Sequence, residues 1–158
     1  MRISFTKLSD QRHRMSIVRD DGTAESCELE TRSFLLHDLV HHAVETEAPI
    51  DDGFWGLLAR GTTLEELADR ERPAPLSPGI VVAEGLVGPM QSVYHGRLPV
   101  DLYLENAKNT GGLVIDAAFV ERVLARLRRL WGAWRATPFR GSLELDWPAR
   151  SEPRVRPG

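Results

Sequence analysis

The sequence has almost no cysteine and almost no lysine. Cys27 is the only cysteine among 158 residues, so a disulfide within the chain is excluded and a reducing compartment is expected. Arginine supplies nearly all of the basic residues, and the formal net charge is −3. Because a nucleic-acid-binding surface needs a strong excess of positive charge, we do not expect nucleic acid to be a partner.

Long apolar segments are also missing. The longest apolar stretch, residues 79–90, is interrupted by Glu84 and is shorter than the ~20 residues of a membrane-spanning helix. The first residues contain no apolar signal core. We therefore expect a cytoplasmic protein with no membrane partner.

What the chain does contain is enough apolar material for one core. Hydrophobic residues make up 42% of the sequence, which is close to the average for globular proteins. A chain of this length can bury a core without disulfides or a structural metal. We expect one domain over residues 1–150 and a disordered tail over residues 151–158.

The order in which strand-like alternation and helical spacing of apolar residues follow one another along the chain predicts an α+β fold. Residues 2–8, 12–19 and 23–30 alternate as strands do, and Asp21-Gly22 is typical of a tight hairpin turn. Helical spacing then dominates until residues 143–147, which alternate again. The predicted helices cover residues 32–48, 52–60, 63 to about Arg70, 78–95, 100–107 and 117–136. The expected architecture is an N-terminal antiparallel meander with a returning C-terminal strand, three or four strands in all, packed on a helical bundle.

The helix predicted at 32–48 carries the unusual chemistry. Three of the five histidines lie between residues 37 and 42. Helical spacing places His37, His41 and Glu45 in one row, with Asp38 beside it. Because the apolar residues of this helix occupy the opposite face, we expect the row to be at least partly accessible and not packed against the sheet.

Two imidazoles one helical turn apart can bind one metal ion, as in the HExxH helix of zinc proteases. The pattern here is H-D-L-V-H, and Asp38, in the place of the protease glutamate, is the candidate catalytic residue. A third ligand is needed; Glu45 is the nearest on the same helix, and Glu84 and His95 are candidates on the helix at 78–95. Nitrogen and oxygen ligands suit zinc, iron or manganese, so on this interpretation the cofactor is one divalent metal ion, and the sequence does not choose among the three.

The segment Leu36-His-Asp-Leu-Val-His41 resembles the HDxxH zinc-binding segment of a family of ubiquinone-biosynthesis proteins. The resemblance covers this motif only, and it implies zinc binding by His37 and His41. In that family an acidic ligand follows the second histidine at a fixed interval. Asp52 falls one residue short of the corresponding place.

A second interpretation needs no metal. Asp38 and Glu45 would then simply pair with His41 or His42 on a polar helix face. On this interpretation, which the sequence favours, the protein is a non-enzymatic interaction or oligomeric module, and a metal-binding protein or metal-dependent enzyme is the alternative. A homo-oligomer is the expected assembly; the apolar residues 54–58 are either buried or part of its contact, and the sequence identifies no protein partner.

Overall fold

The first thirty residues fold as an antiparallel meander. The computed structural model describes residues 1–69, 71–107 and 110–158. In it, strands β1 (Arg2–Lys7), β2 (Arg12–Val18) and β3 (Ala24–Glu30) follow one another. Gly22, in the turn between β2 and β3, has a φ of 87°, a conformation that glycine adopts without steric cost. The three predicted strands are confirmed.

The C-terminal part of the chain completes the sheet. Strand β4 (Ser142–Asp146) returns to the sheet, as predicted, where it pairs antiparallel with β1, and β5 (Arg154–Arg156) pairs with β4. The strand order is β3-β2-β1-β4-β5. The structure differs here from the expected disordered tail over 151–158. The reason is that Arg154 places both terminal nitrogens 3.1 Å from the Asp146 carboxylate oxygens, which holds the last strand on the sheet edge.

The helices lie between β3 and β4 in the chain. A short π-helical turn, Thr31–Leu35, leads into α1 (Leu36–Glu47). The other helices of the described residues are α2 (Phe54–Ala59), α3 (Leu64–Ala68), α4 (Pro78–Tyr94), α5 (Val100–Ala107) and α6 (Ala117–Ala136). The α+β class is thereby confirmed; the predicted end of the third helix at Arg70 lies outside the described residues. Over the described ranges, no helix has both the length and the apolar character to cross a bilayer.

Side-chain caps define where three of these helices begin. Thr63 and Glu66 form the reciprocal capping box of α3. The Ser77 side chain accepts a hydrogen bond from the Ile80 N–H at the start of α4. Asp116 does the same for α6. Each cap satisfies backbone donors that have no partner within the helix.

Helix α1 is the centre of the fold. It packs against both α4 and α6, and every residue from Asp38 to Glu45 is buried. The expectation of an accessible polar row is therefore wrong for His41 and Glu45, because neighbouring helices cover the face that the sequence pattern assigns to solvent. His37, whose side chain is 36% exposed, is the member of the row that reaches the surface. Residues 55–58 are also buried, so little of the apolar segment 54–58 is left for an oligomer contact.

The buried stripe of α6 generates a stability prediction. Leu127 is completely buried, and Leu127→Ala should lower the free energy of unfolding by about 2–5 kcal/mol, because the change removes apolar contacts and leaves a void. Denaturant melts would measure the loss. Leu124→Ala, the same change at a half-buried position of the same helix, is the matched control and should cost less. Equal losses would contradict this packing of α6.

Candidate metal centre

Three potential ligands from two helices converge. His37 and His41 lie one turn apart on α1, and Glu84 comes from α4. His41 Nε2 lies 3.3 Å from Glu84 Oε1, and His37 Nε2 lies 3.9 Å from Glu84 Oε2. One ligand atom from each residue lies within 4.8 Å of the other two. Ligand atoms of a tetrahedral zinc ion are about 3.3 Å apart, a spacing that His41 Nε2 and Glu84 Oε1 already have.

The position of α4, and so of Glu84, depends on the loop that follows α1. Asp52 Oδ2 accepts a hydrogen bond from the Gly79 N–H at 3.0 Å, and the Ser77 hydroxyl donates to the Asp52 carbonyl at 2.5 Å. A Cβ at Gly79 would lie 1.8 Å from Asp52 Oδ1. Only glycine therefore allows this close approach. Asp52, the residue nearest to the acidic-ligand place of the resembled motif, thus caps α4 and does not join the histidines.

The carboxylate of Glu45 contacts the Nδ1 side of the His41 imidazole. Its Oε1 accepts a hydrogen bond from His41 Nδ1 at 2.9 Å. The same carboxylate accepts the backbone N–H groups of Phe54 at 2.9 Å and of Trp55 at 3.1 Å. Glu45 is expected from the sequence to be the nearest third ligand. Because these three donors occupy both of its oxygens, the structure places it instead where it orients His41. With its proton on Nδ1, His41 has Nε2 available toward Glu84.

The position of His41 between two carboxylates determines its charge. Burial by itself would lower the pKa of His41, but the hydrogen bonds and charges of Glu45 and Glu84 outweigh burial and raise the pKa to about 9. The buried Nε2 of His41 lies 3.3 Å from Glu84 Oε1. This nitrogen therefore lies where positive charge, from a proton or from a metal ion, is favoured.

Asp38 is a buried acid next to the first ligand. Its Oδ1 is 3.9 Å from His37 Nδ1. Its Oδ2 is buried, and the described part of the chain offers this atom no hydrogen-bond partner. Burial raises the pKa of this carboxyl group, because an apolar environment disfavours the charged form. Asp38 thus faces His37, whereas the metal-free interpretation pairs it with His41 or His42.

A cavity of about 940 Å³ adjoins the three ligands. His37, Asp38 and Glu84 form part of its wall. The lining also includes Leu67 of α3 and Leu29 of β3. Sequence reasoning missed this cavity because its lining comes from segments that are far apart in the chain and carry no shared motif.

Three histidines lie outside the cluster, among them His95 and His42. His95 follows the last residue of α4 and is exposed; eleven residues separate it from Glu84, about 16 Å along a helix, so the structure does not support it as a ligand of the same ion. His42 lies on another side of α1, where its Nε2 donates to the Asp146 carbonyl at 3.1 Å. Burial lowers the pKa of His42 to about 4.

Comparison with known proteins adds no assignment. Searches against family models, curated proteins and solved structures find no significant match. The metal centre is therefore argued from its own geometry, and the likeness to the HDxxH segment concerns the motif alone.

The buried, neutral His42 generates a prediction about pH. The unfolded chain gains a proton near the ordinary pKa of 6.5, whereas folded His42 gains one only near 4. Protonation therefore favours the unfolded state as the pH falls through this interval. His42→Leu removes this effect, so the stability of wild type relative to the variant should decline from pH 6.5 to 4.

Urea melts of both proteins over a pH series would measure the difference. Between about pH 7.5 and 8.5 the difference should be constant, because His42 is neutral in both states there. A difference that is also constant at acidic pH would contradict the buried neutral state of His42.

Proposed function

We propose that this protein binds one divalent transition-metal ion through His37, His41 and Glu84 and uses it on a small molecule held in the adjoining cavity. The observation that carries the proposal is the convergence of three ligand atoms within 4.8 Å of one another at the wall of that cavity. A buried carboxylate also orients one of the imidazoles, as acidic partners do behind metal-binding histidines.

The number of ligands favours a chemical role over a structural one. Structural zinc sites use four protein ligands, whereas catalytic sites use three, including sets of two histidines and one glutamate, and keep a position for water or substrate. The same set with open positions also suits iron(II), and manganese accepts its oxygen donor. Because His37 and Glu84 line the cavity, an ion between them would be within reach of a molecule bound there.

Asp38 is the proposed acid–base group. A bound divalent ion lowers the pKa of a coordinated water and so supplies a nucleophile near neutral pH. The Oδ2 of Asp38 is buried and lacks a hydrogen-bond partner among the described residues, and the residue lines the cavity. It is therefore a candidate to accept the proton of such a water, in a hydrolytic or lyase-type reaction.

The second candidate is a non-enzymatic interaction module in which the cluster is a structural ion pair. The location of His41 between Glu45 and Glu84 favours it, because a protonated imidazole would compensate both carboxylates without any metal. This candidate leaves the cavity and the unpaired oxygen of Asp38 without a role, so we prefer the metal-dependent function.

Metal titration tests the proposal. Calorimetry with zinc and with manganese should detect one site per chain in the wild type. His37→Ala, His41→Ala and Glu84→Gln should each weaken binding at least about 100-fold, because two remaining ligands do not hold a divalent ion tightly. His95→Ala is the matched control, since His95 is exposed at the end of α4, and this variant should bind as the wild type does.

Two results would contradict the proposal. One is a wild type that binds neither metal. The other is equal binding by the wild type and the three ligand variants, which would place the metal elsewhere. The metal-free module would then be the better account of the cluster.

The role of Glu45 generates a separate prediction. Glu45→Gln keeps the size of the side chain but loses the charge behind His41, so metal affinity should fall about 10–100-fold. Glu47→Gln is the matched control on the same helix, because Glu47 pairs with Arg122 and Arg126 and not with a histidine. Equal affinities of the two variants would show that Glu45 does not support the metal.

A further inference from the structure

The cavity beside the three ligands has an apolar interior. Met15 of β2 and Cys27 of β3 are paired across the sheet, so they lie on the same face, and both line the cavity. Leu29, two residues further along β3, also contributes. Met15 is buried but Cys27 and Leu29 are only half-buried. Along the edge strand β3, these side chains therefore border the cavity instead of being fully packed in the core.

Acidic groups surround this apolar interior. The described residues that line the cavity include the carboxyl groups of five side chains: Asp38, Glu65, Glu66, Asp69 and Glu84. Glu65, Glu66 and Asp69 are exposed and lie on α3 or directly after it. They form an acidic rim where the cavity meets solvent. A cleft lined mainly by one sign of charge concentrates ligands of the opposite sign.

Arg72 is the group that would favour an anion. It is the one arginine or lysine among the described lining residues. Its Nη2 donates to the Glu66 carbonyl at 2.9 Å, and its buried Nε has no hydrogen-bond partner within the described ranges. A ligand carboxylate could bind there, but among the described lining residues the three exposed carboxyl groups of Glu65, Glu66 and Asp69 outnumber this one guanidinium, so the charge of the rim disfavours an anionic ligand.

We propose that the ligand of this cavity is a cationic amphiphile: a small molecule with an apolar body inside the cavity and one amine at the acidic rim of Glu65, Glu66 and Asp69. The inference names the substrate class of the proposed metal site and, for catalysis, rests on that proposed function. A volume of about 940 Å³ is near the upper end of small-molecule sites, which measure roughly 300–1,000 Å³, so a ten-carbon chain fits.

The test uses three probes with the same apolar body and different charges. Decylammonium, decanol and decanoate would each displace a neutral fluorescent dye, Nile red, from metal-free protein in chelator at low ionic strength. Decylammonium should bind about tenfold more tightly than decanol, and decanoate should bind most weakly. The preference should shrink at about 0.5 M salt, because salt screens exposed charges.

Substitutions in the acidic rim test which residues cause the preference for decylammonium. The double variant Glu65→Gln/Asp69→Asn should abolish the advantage of decylammonium and leave decanol affinity unchanged. Glu121→Gln on α6, an exposed position away from the cavity, is the control and should keep the advantage. Ala68→Trp, at an exposed lining position of α3, should weaken all three probes; thermal melts would confirm that the variant remains folded.

The inference is overturned if decylammonium binds no more tightly than decanol, or if decanoate binds best through Arg72. Because no metal is present, this result is independent of the metal titration. A wild type that binds decylammonium but no metal would remove the proposed catalytic function and keep the ligand class. The reverse pattern would keep the metal site and remove the ligand class.

Discussion

The arrangement of the candidate metal ligands depends on the burial of one carboxylate. Glu45 is fully buried, and a buried carboxylate is strongly unfavourable unless hydrogen bonds compensate it. Its three donors are His41 Nδ1 and the N–H groups of Phe54 and Trp55. A Cβ at Gly53 would lie 2.5 Å from Glu45 Cδ, so glycine is needed where α2 begins. The same contacts join α1 to α2 and aim His41 at Glu84.

Adjacent histidines on α1 show how partners, and not burial alone, set the pKa. His41 and His42 are both buried. Two carboxylates raise the pKa of His41 to about 9 despite burial. Desolvation lowers the pKa of His42 to about 4, and its hydrogen bond to the Asp146 backbone carbonyl does not offset this effect. On the same helix, the surroundings of His41 thus favour positive charge, whereas the imidazole of His42 stays neutral in the core.

Periodicity and capping residues predict most of the fold from the sequence, because strands and helices bury side chains at different intervals. They do not predict the surroundings of α1. An amphipathic pattern assigns the polar face to solvent, but here that face meets polar groups of α2 and α4. Which of Glu84, Glu45 and His95 lies nearest to the two histidines as a third candidate ligand depends on the position of α4. A hydrogen bond from the Gly79 N–H to Asp52 helps to hold α4 in place. β5 has three residues, too few for a visible alternation.

The α3 side of the cavity is held by polar contacts and by the partly buried side chains of Leu64 and Leu67, which pack against the core. Helix α3 has no buried residue. The Leu64 N–H at its start donates to Glu25 Oε2 at 2.9 Å, and Arg19, which pairs with Glu25, donates to the carbonyls of Leu58 and Thr62. Opening α3 would therefore expose little apolar surface that is now buried, so it costs less free energy than opening the α1–α6 core. Helix α3, which has no buried residue, thus forms part of the cavity wall, and the sheet and α1 contribute other lining residues.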